Sequence, residues 1–374
     1  MIVKCVATVL FMASVASSAL AQQGSAPVGP FIFATNDRVS LKPDGSYLFN
    51  HTDGKLVFEA QIAPDVRIFD NFVGALERVL KKDRPRVFAY SVYGTFLTRL
   101  RMFDVASKPV RSPSYMPKGT VQLAWLRNLS GEDSEDKQAE FRRGPIEMWL
   151  INAIPFGHHS NGQNGCLFKN QTRQGEECVP EPPSAPEATD VNTDNGSFST
   201  NYIRIGLEYR RFHPEGDDDV ETRPVTRREW GIGGSVEMNP SGYFGGSISD
   251  SLRPLYGPAR YRLTADFAAG NVRLVPKFWK RLQPGETEKP RMLHCGRAWL
   301  DGSFTLIQGG AESVNNVVTV EAACLPARWG GAGLFVRYYY GQDYYNAAFL
   351  ENLNRVQFGV TFLQGKFLAF TPVP

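Results

Sequence analysis

The sequence predicts an all-β protein built from many short antiparallel strands, and three observations carry that prediction. From residue 30 onward apolar residues alternate with polar ones instead of recurring at helical spacing. Turn chemistry such as Lys42-Pro43-Asp44-Gly45 and Gln283-Pro284-Gly285 separates the alternating runs. The aromatic content of 12%, with 14 Tyr and 25 Phe, suits pleated surfaces and interfacial girdles better than a helical bundle.

Taken in order, the strand candidates run over 30–36, 55–67, 87–102, 119–128, 145–158 and 199–212. They continue over 229–238, 259–268, 271–282, 292–307, 315–325, 332–341 and 354–364. The last run shows the pattern plainly: Val356, Phe358, Val360 and Phe362 alternate with Gln357, Gly359 and Thr361. A bacterial single-chain barrel needs an even number of strands. A count of thirteen therefore means that one candidate is spurious or that two are parts of one strand. The Gly-rich run at 229–238 and the pair spanning 259–282 are the weak places. Phe69, Phe72, Val73, Leu76, Val79 and Leu80 break the alternation and predict a short amphipathic helix after the second candidate. Residues 163–196 are polar and Pro-rich, and they predict a long inserted loop.

Residues 1–21 read as a secretory signal peptide: Lys4 supplies the positive start, an apolar run follows, and Ala19-Leu20-Ala21 forms the cleavage site. Residues 22–374 then make one β-domain. Beyond the signal no apolar stretch reaches the ~18 residues that a spanning helix needs. Export, alternation and the lack of a helical span leave open a transmembrane β-barrel and, against it, a secreted β-sandwich or soluble barrel. A formal charge of +3 is too balanced to point to nucleic acid. Cys5 leaves with the signal, so Cys166, Cys178, Cys295 and Cys324 remain for an oxidising compartment. Cys166 and Cys178 lie close together and are expected to bridge. Cys295 and Cys324 bracket a hairpin, but alternation puts them on opposite faces, so their bridge requires a bulge.

Two fragments carry the chemistry: Gly157-His158-His159-Ser160-Asn161-Gly162 and Ser197-Phe198-Ser199-Thr200-Asn201-Tyr202. His158 and Ser160 are two residues apart and share one face of a strand, continued backward by Ile154, Leu150, Met148 and Ile146. Asn201 shares parity with Ile203, Ile205, Leu207 and Tyr209, while Arg204, Glu208 and Arg210 take the other side. The two apolar faces are expected to meet lipid, and Glu147, Arg204 and Glu208 to face the interior. His159 then points inward. A serine is a weak nucleophile until a base takes its proton, and histidine is the residue type suited to that near neutral pH. Asn201 can orient the histidine through its amide oxygen, as in Cys-His-Asn proteases. His51, His213 and His294 show no metal-ligand spacing.

These fragments resemble the active-site motifs of the outer-membrane phospholipase A family, H-x-S-N-G on one strand and S-x-S-x-N at the start of the next. His158, Ser160, Asn161 and Gly162 match the first, and Ser197, Ser199 and Asn201 the second. Pro109 to Pro117, with Arg111 and Tyr115, keeps the spacing of a family loop, and Arg355-Val356-Gln357-Phe358-Gly359 is similar to the last strand. The resemblance implies a twelve-stranded outer-membrane barrel in which the His158 strand is the fifth and its site faces the extracellular leaflet. It implies a calcium-dependent serine phospholipase (A1/A2 and lysophospholipase activity), active as a homodimer. Ser160 would be the nucleophile, His158 the base and Asn201 its orienting group, with Gly162 an oxyanion donor. Ca2+ would be held by the Ser197 hydroxyl and the Gln163 carbonyl, with a further ligand from the partner's loop. The chain departs from the family in two ways. Ser160 and Asn201 are 41 positions apart, and Phe198, Thr200 and Tyr202 replace the usual Arg, Trp and Arg. Residues 190–194 lack the glycine and distal glutamate of an EF-hand and read as a solvated acidic loop. The rival reading is a non-catalytic barrel, porin-like or structural, that keeps the motifs.

Overall fold

A computed structural model of the chain describes residues 46–50, 56–63, 65–80, 86–103, 111–129, 145–175, 177–180, 190–192, 194–215, 225–241, 252–274, 293–310, 315–326, 332–343, 345 and 348–362. The expected signal segment and the expected first strand at 30–36 lie outside the described residues. Fifteen strands are described: β1 (Ser46–Asn50), β2 (Leu56–Ile62), β3 (Asp65–Asp70), β4 (Arg86–Phe103), β5 (Ser114–Asn128) and β6 (Ile146–Ser160). A small hairpin follows, β7 (Gln171–Gln174) and β8 (Glu177–Pro180), and then β9 (Ser199–Glu215) and β10 (Val225–Met238). The last are β11 (Ala259–Leu274), β12 (Leu293–Gln308), β13 (Asn316–Pro326), β14 (Ala332–Gln342) and β15 (Asn352–Phe362). Two helices are described, α1 (Phe72–Leu80) and α2 (Arg253–Tyr256).

The antiparallel pairings return on themselves. β1 pairs both β15 and β2, β2 and β3 both pair β4, and the ladder runs on through β5, β6 and β9 to β15. β2 and β3 act as two halves of one strand, so the ring is a closed antiparallel barrel of twelve strands in which β6 is the fifth. Closure leaves no sheet edge, as a β-structure in lipid requires. Over the described residues the expected pair at 259–268 and 271–282 is the single strand β11, which pairs β12 from Ala259 to Leu274, and 275–282 lie outside them. The first strand of the ring lies at 46–50, where alternation had predicted none.

The outer surface is apolar. Ile205, Leu207, Ile232, Leu263, Leu300 and Val356 are all exposed. Phe88, Trp125, Trp149 and Tyr209 stand opposite one another across β4, β5, β6 and β9, and make an aromatic girdle near the α1 end. An apolar band bordered by aromatic residues fits a transmembrane barrel. No helix among the described residues is long and apolar enough to cross a membrane. An arginine at Leu207 or Ile205 is therefore expected to cost about 2–4 kcal/mol in urea titrations of refolding into micelles. The lumen-lining Thr319→Arg should be better tolerated, and equal tolerance at both sites would contradict membrane insertion.

The interior is layered. At one end α1 lies within the ring of strands. Phe72, Ala75, Leu76 and Val79 pack on Val87, Ala89, Ala124, Leu126, Ile146, Met148, Leu150 and Phe212. Asp70 Oδ1 accepts from Phe72 N (2.9 Å), and the Asn128 amide donates to the Val79 carbonyl (3.1 Å), so both helix ends are tied to the barrel. Each large apolar side chain buried there contributes about 1.5–3 kcal/mol. This corrects the sequence reading of β6: Ile146, Met148, Leu150 and Ile154 face inward. Glu147 faces outward, where it accepts a hydrogen bond from the girdle residue Tyr209 (2.9 Å).

The middle layer is ionic. Arg210, 1% exposed, is held by Glu208, Glu229 and Asp266, and Glu229 also receives Arg297. A cavity of about 590 Å³ runs through this layer. At the opposite end Phe168, Val191, Phe198, Leu252, Tyr256 and Phe349 form a second apolar core beneath the loops.

The Cys295–Cys324 bridge is present, with Cα atoms 5.3 Å apart. Ala298 stands opposite Cys324, and a register shift between Cys295 and Arg297 returns Cys295 to the bridging face, the bulge that the bridge required. Cys166–Cys178 is also bridged and closes the start of the inserted loop.

Candidate active site

The site stands at the loop-rich end of β6 and β9, and a bulge decides where its side chains point. On β6 two residues, Pro155 and Phe156, oppose the single Ile203 of β9: Ile154 pairs Arg204, and the next pair is Gly157 with Tyr202. Proline has no N–H for the ladder and is tolerated in a sheet at such bulges. The extra residue inverts the alternation. Below it the even-numbered residues face the interior. Above it His159 lines the lumen, and His158 and Ser160 turn to the outer, apolar surface. Gly157 permits the local packing, because a Cβ there would lie 2.2 Å from the Tyr202 ring.

On β9 the alternation runs as the sequence implied. Arg204, Glu208 and Arg210 line the interior, while Ile205 and Leu207 are exposed outside and share the parity of Asn201. His158 pairs directly with Asn201, and Ser160 with Ser199. His158 Nδ1 lies 2.7 Å from Asn201 Oδ1. An amide oxygen can only accept, so the contact requires the proton on Nδ1 and leaves Nε2 free as an acceptor. Asn201 is buried, whereas His158 and Ser160 are half-exposed. Ser160 stands across from Tyr115 on the neighbouring β5. The fold thus gathers a hydroxyl, an imidazole and an orienting amide on the outer, apolar side of one sheet.

Gly162 follows at the strand end, exposed and left-handed (φ +63°), with the Tyr115 ring 3.4 Å from where a Cβ would stand. Only glycine adopts that conformation without strain. Asn161, whose place in the motif gave no hint of its function, clamps the base of the inserted loop. Its amide nitrogen donates to the Gly196 carbonyl (2.6 Å), while its Oδ1 accepts from Phe198 N (2.9 Å) and Gln163 N (3.3 Å). The last two amides share one oxygen and so lie no more than about 6 Å apart. Ser197 N donates in turn to the Gly165 carbonyl (2.8 Å). Gln163 and Ser197, separated by the whole insertion in sequence, are neighbours at its base. Their oxygens suit a hard cation such as Ca2+. Among the described residues no group of three His, Cys, Asp or Glu side chains could hold a metal ion.

Phe198 explains one departure from the motif. It is fully buried against His159 (5.0 Å), Tyr256 (5.4 Å) and Phe349 (5.7 Å), and so fixes the end of the insertion to the loop-side core. Tyr202 packs under Arg204 (5.6 Å).

No protein-family model matches the chain, and no curated protein matches it significantly in sequence. Among solved structures it is similar to the outer membrane phospholipase A of Escherichia coli, at 12% identity over 87% of this chain and 98% of that one (TM-score 0.40). It is also similar to a calcium-bound dimer of the Salmonella typhi outer membrane phospholipase, at 13% identity over 86% and 92% (TM-score 0.41). An active-site mutant of the Escherichia coli protein aligns at 11% identity over 91% and 94% (TM-score 0.40).

Proposed function

We propose that the protein is an outer-membrane serine esterase that hydrolyses the acyl ester bonds of phospholipids. The observation that carries this reading is the 2.7 Å contact of His158 with Asn201 beside Ser160 on the apolar outer face of the barrel. A nucleophile turned toward lipid suits an ester whose acyl chains lie in the bilayer. His158 Nε2 takes the Ser160 proton as Oγ attacks the ester carbonyl, forming a tetrahedral intermediate. The imidazolium, held through Nδ1–H by Asn201, then protonates the departing alcohol. Water repeats the sequence on the acyl-enzyme, with His158 again as base. The Gly162 N–H is the assigned oxyanion donor.

A neutral asparagine stabilises the imidazolium less than a carboxylate does, so added positive charge near the oxyanion is worth about 10²–10³ in rate. Ca2+ bound at the Gln163 carbonyl and Ser197 hydroxyl would supply that charge. Activity is expected to fall on chelation, and Ser197→Ala to raise the calcium concentration required while sparing the triad. Full activity in excess chelator would remove the metal from the mechanism. The homodimer and the extracellular-facing site are parts of the same proposal. Against a porin-like role stand the two apolar cores, one under α1 and one under the loops, which bracket the ionic interior. Purified protein in detergent with a chromogenic short-chain ester tests the proposal: calcium-stimulated turnover supports it, and none in folded protein contradicts it.

A further inference from the structure

The rim of the site carries an ion pair that the triad chemistry does not use. Arg111 Nη1 donates to Asp194 Oδ1 at 2.5 Å, with the side chains 31% and 64% exposed. Both backbones belong to segments that lead into the strands of the site. Arg111 lies four residues before Tyr115, the cross-strand partner of Ser160. Its N–H donates to the Arg101 carbonyl (3.0 Å), and Tyr345 donates to the Ser112 carbonyl (2.7 Å). Arg101 is itself locked by Glu59 and Asp343. On the other side, Asp194 N is held by the Asn192 side chain (3.2 Å), two residues before the Gly196 carbonyl that Asn161 clamps. A guanidinium and a carboxylate thus stand side by side at the loop-rich end, each on a backbone tied to its surroundings. Half-exposed pairs of this kind gain little from each other in water, so a ligand with complementary charges can replace the contact at small cost.

Resting on the esterase reading, we infer that Arg111 and Asp194 together read a zwitterionic phospholipid headgroup. The guanidinium takes the phosphate through its planar fork of donors, and the carboxylate takes the ammonium. A headgroup without an amine would engage Arg111 and leave Asp194 facing a phosphate. The pair is therefore a selector for amine-bearing phospholipids over anionic ones.

Binding of non-hydrolysable, ether-linked short-chain phosphatidylethanolamine and phosphatidylglycerol to the detergent-solubilised full chain tests this by calorimetry. The wild type should prefer the ethanolamine lipid by about fivefold or more. Asp194→Asn should bring the ratio of the two affinities close to one. Arg111→Gln should weaken both lipids by about the same factor, because both carry the phosphate. A wild type without preference, or an Asp194→Asn ratio equal to the wild-type ratio, would overturn the inference. Turnover of a chromogenic ester that lacks a headgroup should be unchanged in both variants, and a parallel loss there would show a merely structural role. Because the ether lipids are not cleaved, the binding ratio decides this inference whether or not the protein proves to be an esterase, which the chromogenic assay decides separately.

Discussion

Replacing Ser160 by alanine is expected to lower ester hydrolysis by at least about 10⁴-fold while leaving the barrel folded, and His158→Ala should do the same. The two act as a unit, so the double variant should be scarcely worse than either alone. Neither side chain belongs to the apolar cores or the ionic layer, so neither change should disturb assembly. Asn201→Ala should be milder, about 10–10²-fold, because it removes an orienting group and not the base. Its signature should be a changed pH profile, since freeing Nδ1 allows the wrong tautomer. Wild-type turnover by Ser160→Ala would place the nucleophile elsewhere.

The largest effect on stability is expected at Arg210. Its guanidinium sits among Glu208, Glu229 and Asp266 and is almost wholly buried. Arg210→Leu removes the guanidinium that the three carboxylates share, while Arg297 stays on Glu229. Removing one partner of such a buried network costs about 3–5 kcal/mol. Arg210→Lys should fall between, because an ammonium keeps the charge and loses the fork that reaches three acceptors. Urea titrations of refolding into micelles measure both. A loss below about 1 kcal/mol for Arg210→Leu would mean that water in the lumen, and not the ion network, solvates these acids.

The strand β9 was legible in the sequence because nothing interrupts it: Ile205 and Leu207 outside, Arg204 and Glu208 inside, and Asn201 in phase with the outer set. β6 was misread over its first half for a definite reason. The inserted residue at Pro155-Phe156 moves every earlier side chain to the other face, and alternation carries no mark of an insertion. Pro155 was the available signal. Ile146, Met148 and Leu150 also look the same whether they meet lipid or a helix, and their partners on α1 lie some seventy residues away. The amphipathic helix itself was visible, but its place within the barrel was not. The Cys295–Cys324 bulge could be argued beforehand because a bridge fixes which face each cysteine must take. The Asn161 clamp could not, since its acceptor at Gly196 lies across the whole insertion.

In the proposed mechanism Ser160 is a nucleophile activated by His158. Labelling with a fluorophosphonate tests it most directly, because such probes modify only serines whose proton is being taken. Intact-mass and peptide analysis of the folded, detergent-solubilised protein should show one adduct, on Ser160, and His158→Ala should lose it. An unlabelled Ser160 in folded protein, or labelling that persists unchanged without His158, would contradict the assignment.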